Sequence, residues 1–444
     1  MDPHHGVLSG EAGEVGPIFR PMLPLLLALQ LAAPQHDALR YDITLVPADT
    51  GTHLLGEVET TWRLATPDPV TVRLDSSLRV VRVLIDGRPN TRLSRTMYGR
   101  SEDDLVVPHQ KPAADSIHTR IRYHGLARGG ARVGTNRRGD RVFFATGSGD
   151  SARFWLPVPL RTEFDRTAAA FRVQTALGHS AIAAGSLEKV DTLPYGHAVW
   201  HYRMDGPAPI ASLAVAAGPY RVHEVGMTSC SARCPVIEVW TYGSDRPATT
   251  MRNAGEMVEF YTARAGRYPY PRLAFVAAPV EAADGLAGAA PGVVFLPEGS
   301  FDGGGPPDST VSLATARQWF GIAISPASPE DRWINGGLAR YLASLWRNSA
   351  VRPADPGRGE AATGEAPPDG AALDGAVRDE VRGALALQRL REITGDSAFF
   401  AGLARYSAER MYQSASRADF VRAMSAAAGR DLDGDLRQAF DRAK

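Results

Sequence analysis

The stretch from Asp308 to Leu345, DSTVSLATARQWFGIAISPASPEDRWINGGLARYLASL, constrains the fold more than any other part of the chain. Val311, Ala314, Trp319 and Ile322 recur at helical spacing, which predicts a helix from about Ser309 to Ile324. Asp308 or Ser309 suits its N-cap. Ser325-Pro326-Ala327-Ser328-Pro329 stops it, because each proline lacks an N–H and restricts the residue before it. A second helix is expected from about Trp333 to Trp346.

Around this helical pair the chain has 444 residues, of which 44% are hydrophobic, enough for two or three domains. The 49 basic and 49 acidic residues cancel, and no long run of one sign occurs. That balance gives no electrostatic case for nucleic acid or an anionic membrane as partner. Near the N-terminus Arg20 precedes an apolar run, Met22 to Ala33, with the pattern of an export signal followed by small residues. Residues 1–35 are therefore expected to be leader and signal peptide, and the mature chain to be exported, periplasmic or extracellular. The run is too short for a membrane-spanning helix, and no other is longer. The two cysteines, Cys230 and Cys234, read as a local disulfide in such a chain.

From 36 to 224 the pattern is all-β. Tyr41–Val46, Gly56–Leu64, Val80–Ile85, Ile117–Tyr123 and Val199–Met204 alternate apolar and polar residues between turn formers, as in a sandwich or saddle-shaped domain. His197 and His201 fall on one of these strands, where four residues span roughly 13 Å, too far to share an ion. From 225 to 444 the pattern changes. A strand at Val236–Thr241 is followed by a helix at about Ala248–Ala265, then Gly266-Arg267-Tyr268-Pro269-Tyr270-Pro271, then a strand at Leu273–Ala278. Residues 351–375 are rich in Pro, Gly, Ala and Glu and read as a disordered insertion. Helices are expected after it at about Ala376–Thr394, Ser397–Met411, Ser416–Ala428 and Asp431–Arg442, with Asp396 and Ser416 as caps.

Several of these motifs resemble the aminopeptidase N family of zinc metallopeptidases (the gluzincin type). Tyr268-Pro269-Tyr270-Pro271 matches the family's G-x-Y-P-Y-P element, and Gln318-Trp319-Phe320-Gly321 matches the tail of its HExxH-x-WFG helix. Trp333-Ile334-Asn335, Gly337 and Ala339 match its W-L-N-E-G-F-A helix. The resemblance covers about residues 37 to 444 and implies an α+β chain: an N-terminal all-β domain, then a thermolysin-like, mostly helical catalytic-type domain. It also implies where the chemistry would sit. The zinc-ligand positions are Leu313, Arg317 and Gly336, the general-base position is Ala314, the amine-anchor position is Ala289 and the position of the tyrosine that donates to the oxyanion is Glu380.

None of these residues can do the family's work. Two histidines four apart on a helix grip one zinc ion. Leucine and glycine offer no lone pair, and arginine is a permanent cation that repels a metal. No rearrangement of register helps, since all eleven histidines lie at or before His223. Glu281 and Asp284, near the lost anchor, read as solvated loop carboxylates. The expectation is a chain that binds no zinc cofactor, hydrolyses nothing and acts by binding a peptide or protein or by scaffolding. The alternative is residual hydrolysis through other residues. Arg317 is the candidate for ligand binding, and it is expected to find an acid or carbonyl partner in the former metal space.

Overall fold

The computed structural model describes residues 36–89, 103–160, 164–227, 235–243, 251, 253–280, 286–302, 306–349 and 370–443. The fold is α+β, with strands concentrated in the N-terminal region and helices toward the C-terminus. A nine-stranded sheet dominates the first part. Along it run β1 (Asp37–Pro47), β2 (His53–Arg63), β3 (Leu78–Ile85), β4 (Arg88–Pro89), β5 (Ser116–Leu126), β6 (Arg166–Thr175), β7 (Ser186–Thr192) and β8 (Ala198–Arg203). Their order is β7-β8-β6-β1-β2-β5-β3-β4, and Ala208–Pro209 pairs onto β6. All these neighbours are antiparallel except β1 and β6.

Strict alternation makes β5 a two-faced strand: Ile117, Thr119, Ile121 and Tyr123 are buried, while His118, Arg120, Arg122 and His124 face solvent. A second sheet of four strands carries Arg141–Thr146 and Ala214–Gly218 at its centre. The loop around Trp155 is fastened to both sheets. The Tyr123 hydroxyl donates to the Trp155 carbonyl, and the Trp155 indole donates to the Thr146 carbonyl at 2.9 Å.

The chain then enters a five-stranded mixed sheet. β9 (Arg221–Met227), β10 (Val236–Thr241), β11 (Arg272–Ala278), β12 (Gly288–Ala290) and β13 (Val293–Pro297) lie in the order β9-β10-β11-β13-β12. β10, β11 and β13 are parallel, and every residue of β11 is buried; after Arg272 the strand is a continuous apolar run, Leu273–Ala278, rather than an alternating one. Seven described helices follow or interleave: α1 (Ala254–Ala265), α2 (Asp308–Arg317), α3 (Arg332–Trp346), α4 (Gly370–Thr394), α5 (Asp396–Arg410), α6 (Arg417–Ala428) and α7 (Asp433–Arg442). Ser416 caps α6 in a reciprocal box with Asp419. Among the described residues no helix is long and apolar enough to cross a membrane.

Several expectations need correction. The N-cap of α2 is Pro307, with Asp308 and Ser309 already in the first turn. α2 stops at Arg317, not near Ile324, because Gly321 adopts φ 132°, a conformation that L side chains rarely reach. The N–H groups of Ile322, Ala323 and Ile324 then bond five residues back, closing a wide turn. The expected insertion at 351–375 is too long at its end, since α4 begins at Gly370. The cap of α5 is Gly395, with Asp396 in the first turn. Residues 1–35, Cys230, Cys234, Glu281 and Asp284 lie outside the described residues.

Candidate functional site

Helices α2, α3 and α4 meet at Arg317, Gly336 and Glu380, three of the positions that the resemblance singles out. Glycines set how closely they meet. A Cβ on Gly337 would lie 2.7 Å from the carbonyl carbon of Gly383, and one on Gly383 would lie 2.2 Å from the Trp333 carbonyl oxygen. α3 and α4 therefore touch backbone to backbone. One turn away, a Cβ on Gly336 would lie 2.3 Å from Cγ of Glu380. The Glu380 side chain occupies the space that any side chain at 336 would need.

The Glu380 carboxylate is gripped from two sides. Its Oε2 accepts from Arg340 Nε at 2.7 Å and from Arg317 Nη2 at 3.2 Å. The three side chains are 22%, 17% and 20% exposed, so solvent reaches them only in part. Burial pushes the Glu380 carboxyl up, but the charges of Arg317 and Arg340 and their hydrogen bonds outweigh it and hold it below the usual glutamate value. Glu380 is ionised at neutral pH. Arg317 ends α2, where a cation also faces the negative end of the helix dipole.

The other positions singled out by the resemblance do not join the cluster through polar groups. Ala314 is fully buried, and Leu313 packs against the core from its rim. Ala289 sits half-buried in the middle of β12, opposite Val294 of β13. Arg340 was not singled out by sequence. Its signal was its place four residues after Gly336, on the same face of α3. Among the described residues no group of three or more His, Cys, Asp or Glu side chains converges to hold a metal. At this corner one carboxylate stands between two guanidiniums, a donor set that does not suit a zinc ion.

The motif residues that the resemblance rests on act as fasteners. Gln318 is fully buried, and its Oε1 accepts from the Gly292 N–H at 2.9 Å, clipping the turn between β12 and β13. The Trp319 indole donates to the carbonyls of Gly266 and Arg267 at 3.0 and 3.1 Å and lies edge-on to Tyr261 and Tyr268. Asn335 accepts from the Tyr406 hydroxyl at 3.1 Å, and Tyr406 stacks on Phe320. His197 and His201 lie far apart in role, paired with Asp49 and Asp191 respectively.

No protein-family model matches the chain, and no curated protein sequence does. Solved structures do match. An M1 zinc metallopeptidase from Deinococcus radiodurans aligns with a TM-score of 0.71 at 20% identity, over 91% of this chain and 93% of that one. A mutant of the Deinococcus radiodurans enzyme bound to a Tyr-Ser-Ala substrate gives 0.70 at 21% identity, over 91% and 94%. A two-domain M1 zinc metallopeptidase mutant bound to L-tryptophan gives 0.71 at 20%, over 92% and 94%. The chain thus has the fold of the M1 zinc metallopeptidases, the family of aminopeptidase N.

Proposed function

We propose that this chain is a metallopeptidase-fold protein that does not hydrolyse peptides, and that it works by binding a peptide or protein or by scaffolding after export. The observation that carries this reading is the Arg317–Glu380–Arg340 cluster over Gly336. By resemblance, Leu313, Arg317 and Gly336 stand at the ligand positions, Ala314 at the general base, Glu380 at the oxyanion donor and Ala289 at the amine anchor. With these residues there is no metal-activated water, no base to take its proton and no donor for an oxyanion. Glu380, the one carboxylate seen at Gly336, is committed to two guanidiniums and is not free for a divalent cation.

The retained fasteners support a role for the fold itself. Gln318, Trp319 and Asn335 hold helices and the β12–β13 turn in place without touching the ion cluster. The test is substrate-blind. The purified chain is incubated with a mixed peptide library and zinc, and the products are read by mass spectrometry. The proposal expects every peptide to be recovered intact. Loss of N-terminal residues that a chelator abolishes would overturn it.

A further inference from the structure

The outer face of the large sheet carries a second feature that the proposed function leaves unused. On β5, His118, Arg120, Arg122 and His124 all face solvent. On the neighbouring β3, Arg79 and Arg82 face the same side and are exposed. The register sets them directly opposite one another: Arg79 against His124, and Arg82 against Arg122, with a bulge between the two pairs. Like charges directly across a sheet destabilise it. No side chain among the described residues neutralises Arg79, Arg82 or Arg122 by an ion pair.

The array has a definite shape. Its members are about 5 Å apart across the strands and about 7 Å apart along them. It forms a stripe two strands wide, not a plane. On its far side β2 supplies acids: Glu57 opposite Arg122, and Glu59, whose Oε2 pairs with Arg120 at 2.6 Å. Beyond them Asp42 of β1 stands opposite Glu59. A flat anionic membrane laid on this face would meet those acids as well as the arginines. A single linear polyanion can follow the stripe without crossing them. The outward residues of β3 and β5 include no Phe, Tyr or Trp, so the face lacks the stacking platform that single-stranded nucleic acid uses.

We propose that the β3–β5 face binds a linear acidic polysaccharide through Arg79, Arg82 and Arg122. Carboxylate and sulfate groups spaced along such a chain match guanidiniums placed at sheet spacing, and the like-charge opposition is relieved when it binds. The overall charge of zero conceals the stripe. Strand alternation interleaves its cations with the buried Ile117, Thr119, Ile121 and Tyr123, so no charge run appears in the sequence.

The test titrates the full chain with polygalacturonate and dextran sulfate of defined length, with neutral dextran as the blank. Arg82→Ser with Arg122→Ser is expected to weaken binding at least about tenfold and to flatten its salt dependence. A control that removes the same charge elsewhere, Lys189→Ser with Arg437→Ser, is expected to stay within about twofold of the parent. The Arg82/Arg122 variant should melt no lower than the parent, because it removes the opposed pair. Arg79→Ser alone repeats the test should the double variant fail to fold. Equal loss in the control, binding of neutral dextran, or no binding of either acid polymer would overturn the proposal. So would phosphatidylglycerol vesicles or oligothymidylate binding more tightly than the acid polymers with the same sensitivity to the variants.

Discussion

Helices α2 and α3 carry two kinds of residue almost side by side, and the two are held differently. Gln318, Trp319, Phe320 and Asn335 are buried in specific hydrogen bonds and ring contacts. Leu313, Ala314, Arg317 and Gly336, within two turns of them, are the positions to which the resemblance assigns the chemistry. The first group is constrained by packing on several elements at once, so a change is felt throughout the fold. In the second group Ala314 is fully buried and Leu313 packs on the core, while Arg317 and Gly336 line a partly exposed corner. There Arg317 and Arg340 both pair with Glu380.

The largest expected effect breaks the first group. Trp319→Ala removes a fully buried indole and two hydrogen bonds, and should cost about 3–5 kcal/mol in denaturant unfolding. A loss under 1 kcal/mol on the same scale would remove the contrast between the two groups. The next effect addresses the cluster. Glu380→Ala leaves two guanidiniums facing each other. Since they remain about a fifth exposed, the loss should be about 2 kcal/mol, below the range for a fully buried pair.

Acid titration gives a sharper form of that prediction. The Glu380 carboxyl titrates lower in the folded chain than in the unfolded one. Its contribution is therefore complete above about pH 4.5 and is lost as the pH falls through the folded value. Parent and Glu380→Gln stability curves should converge in acid and separate toward neutral pH. Curves that run parallel from pH 3 to pH 7 would show that the pair is not formed.

Gly336→Ala comes next. Its Cβ would sit 2.3 Å from Glu380 Cγ, and the glutamate must move, costing about 1–3 kcal/mol. The smallest effect ranks the two arginines. Arg340, at 2.7 Å, should matter more than Arg317, at 3.2 Å, and each Arg→Met change should cost about 1 kcal/mol.

Much of the fold was legible because each element states itself locally. The alternation of β5, the apolar run Leu273–Ala278 of β11 and the Ser416 cap of α6 are written in adjacent residues. The early end of α2 was not legible, because it depends on Gly321 reaching a φ that the sequence permits without requiring. The site was half legible. Arg317, Gly336 and Glu380 could each be named by motif position, but joining them needs the register between α2, α3 and α4. That register is set by the close approach at Gly337 and Gly383, two glycines that look alike in sequence whether they are packed or free. Arg340 was missed because nothing separates it by composition from the many exposed arginines. The basic stripe was missed for the opposite reason, since its members lie on two strands and are diluted by alternation.

The central claim is that this corner holds a salt-bridged cluster where its structural neighbours are zinc enzymes. Elemental mass spectrometry of the purified chain, equilibrated with zinc and then dialysed, tests it most directly. The account predicts a zinc-to-protein ratio near zero, unchanged in Glu380→Gln. A ratio near one that survives dialysis would contradict it, and would mean that ligands come from elsewhere in the chain.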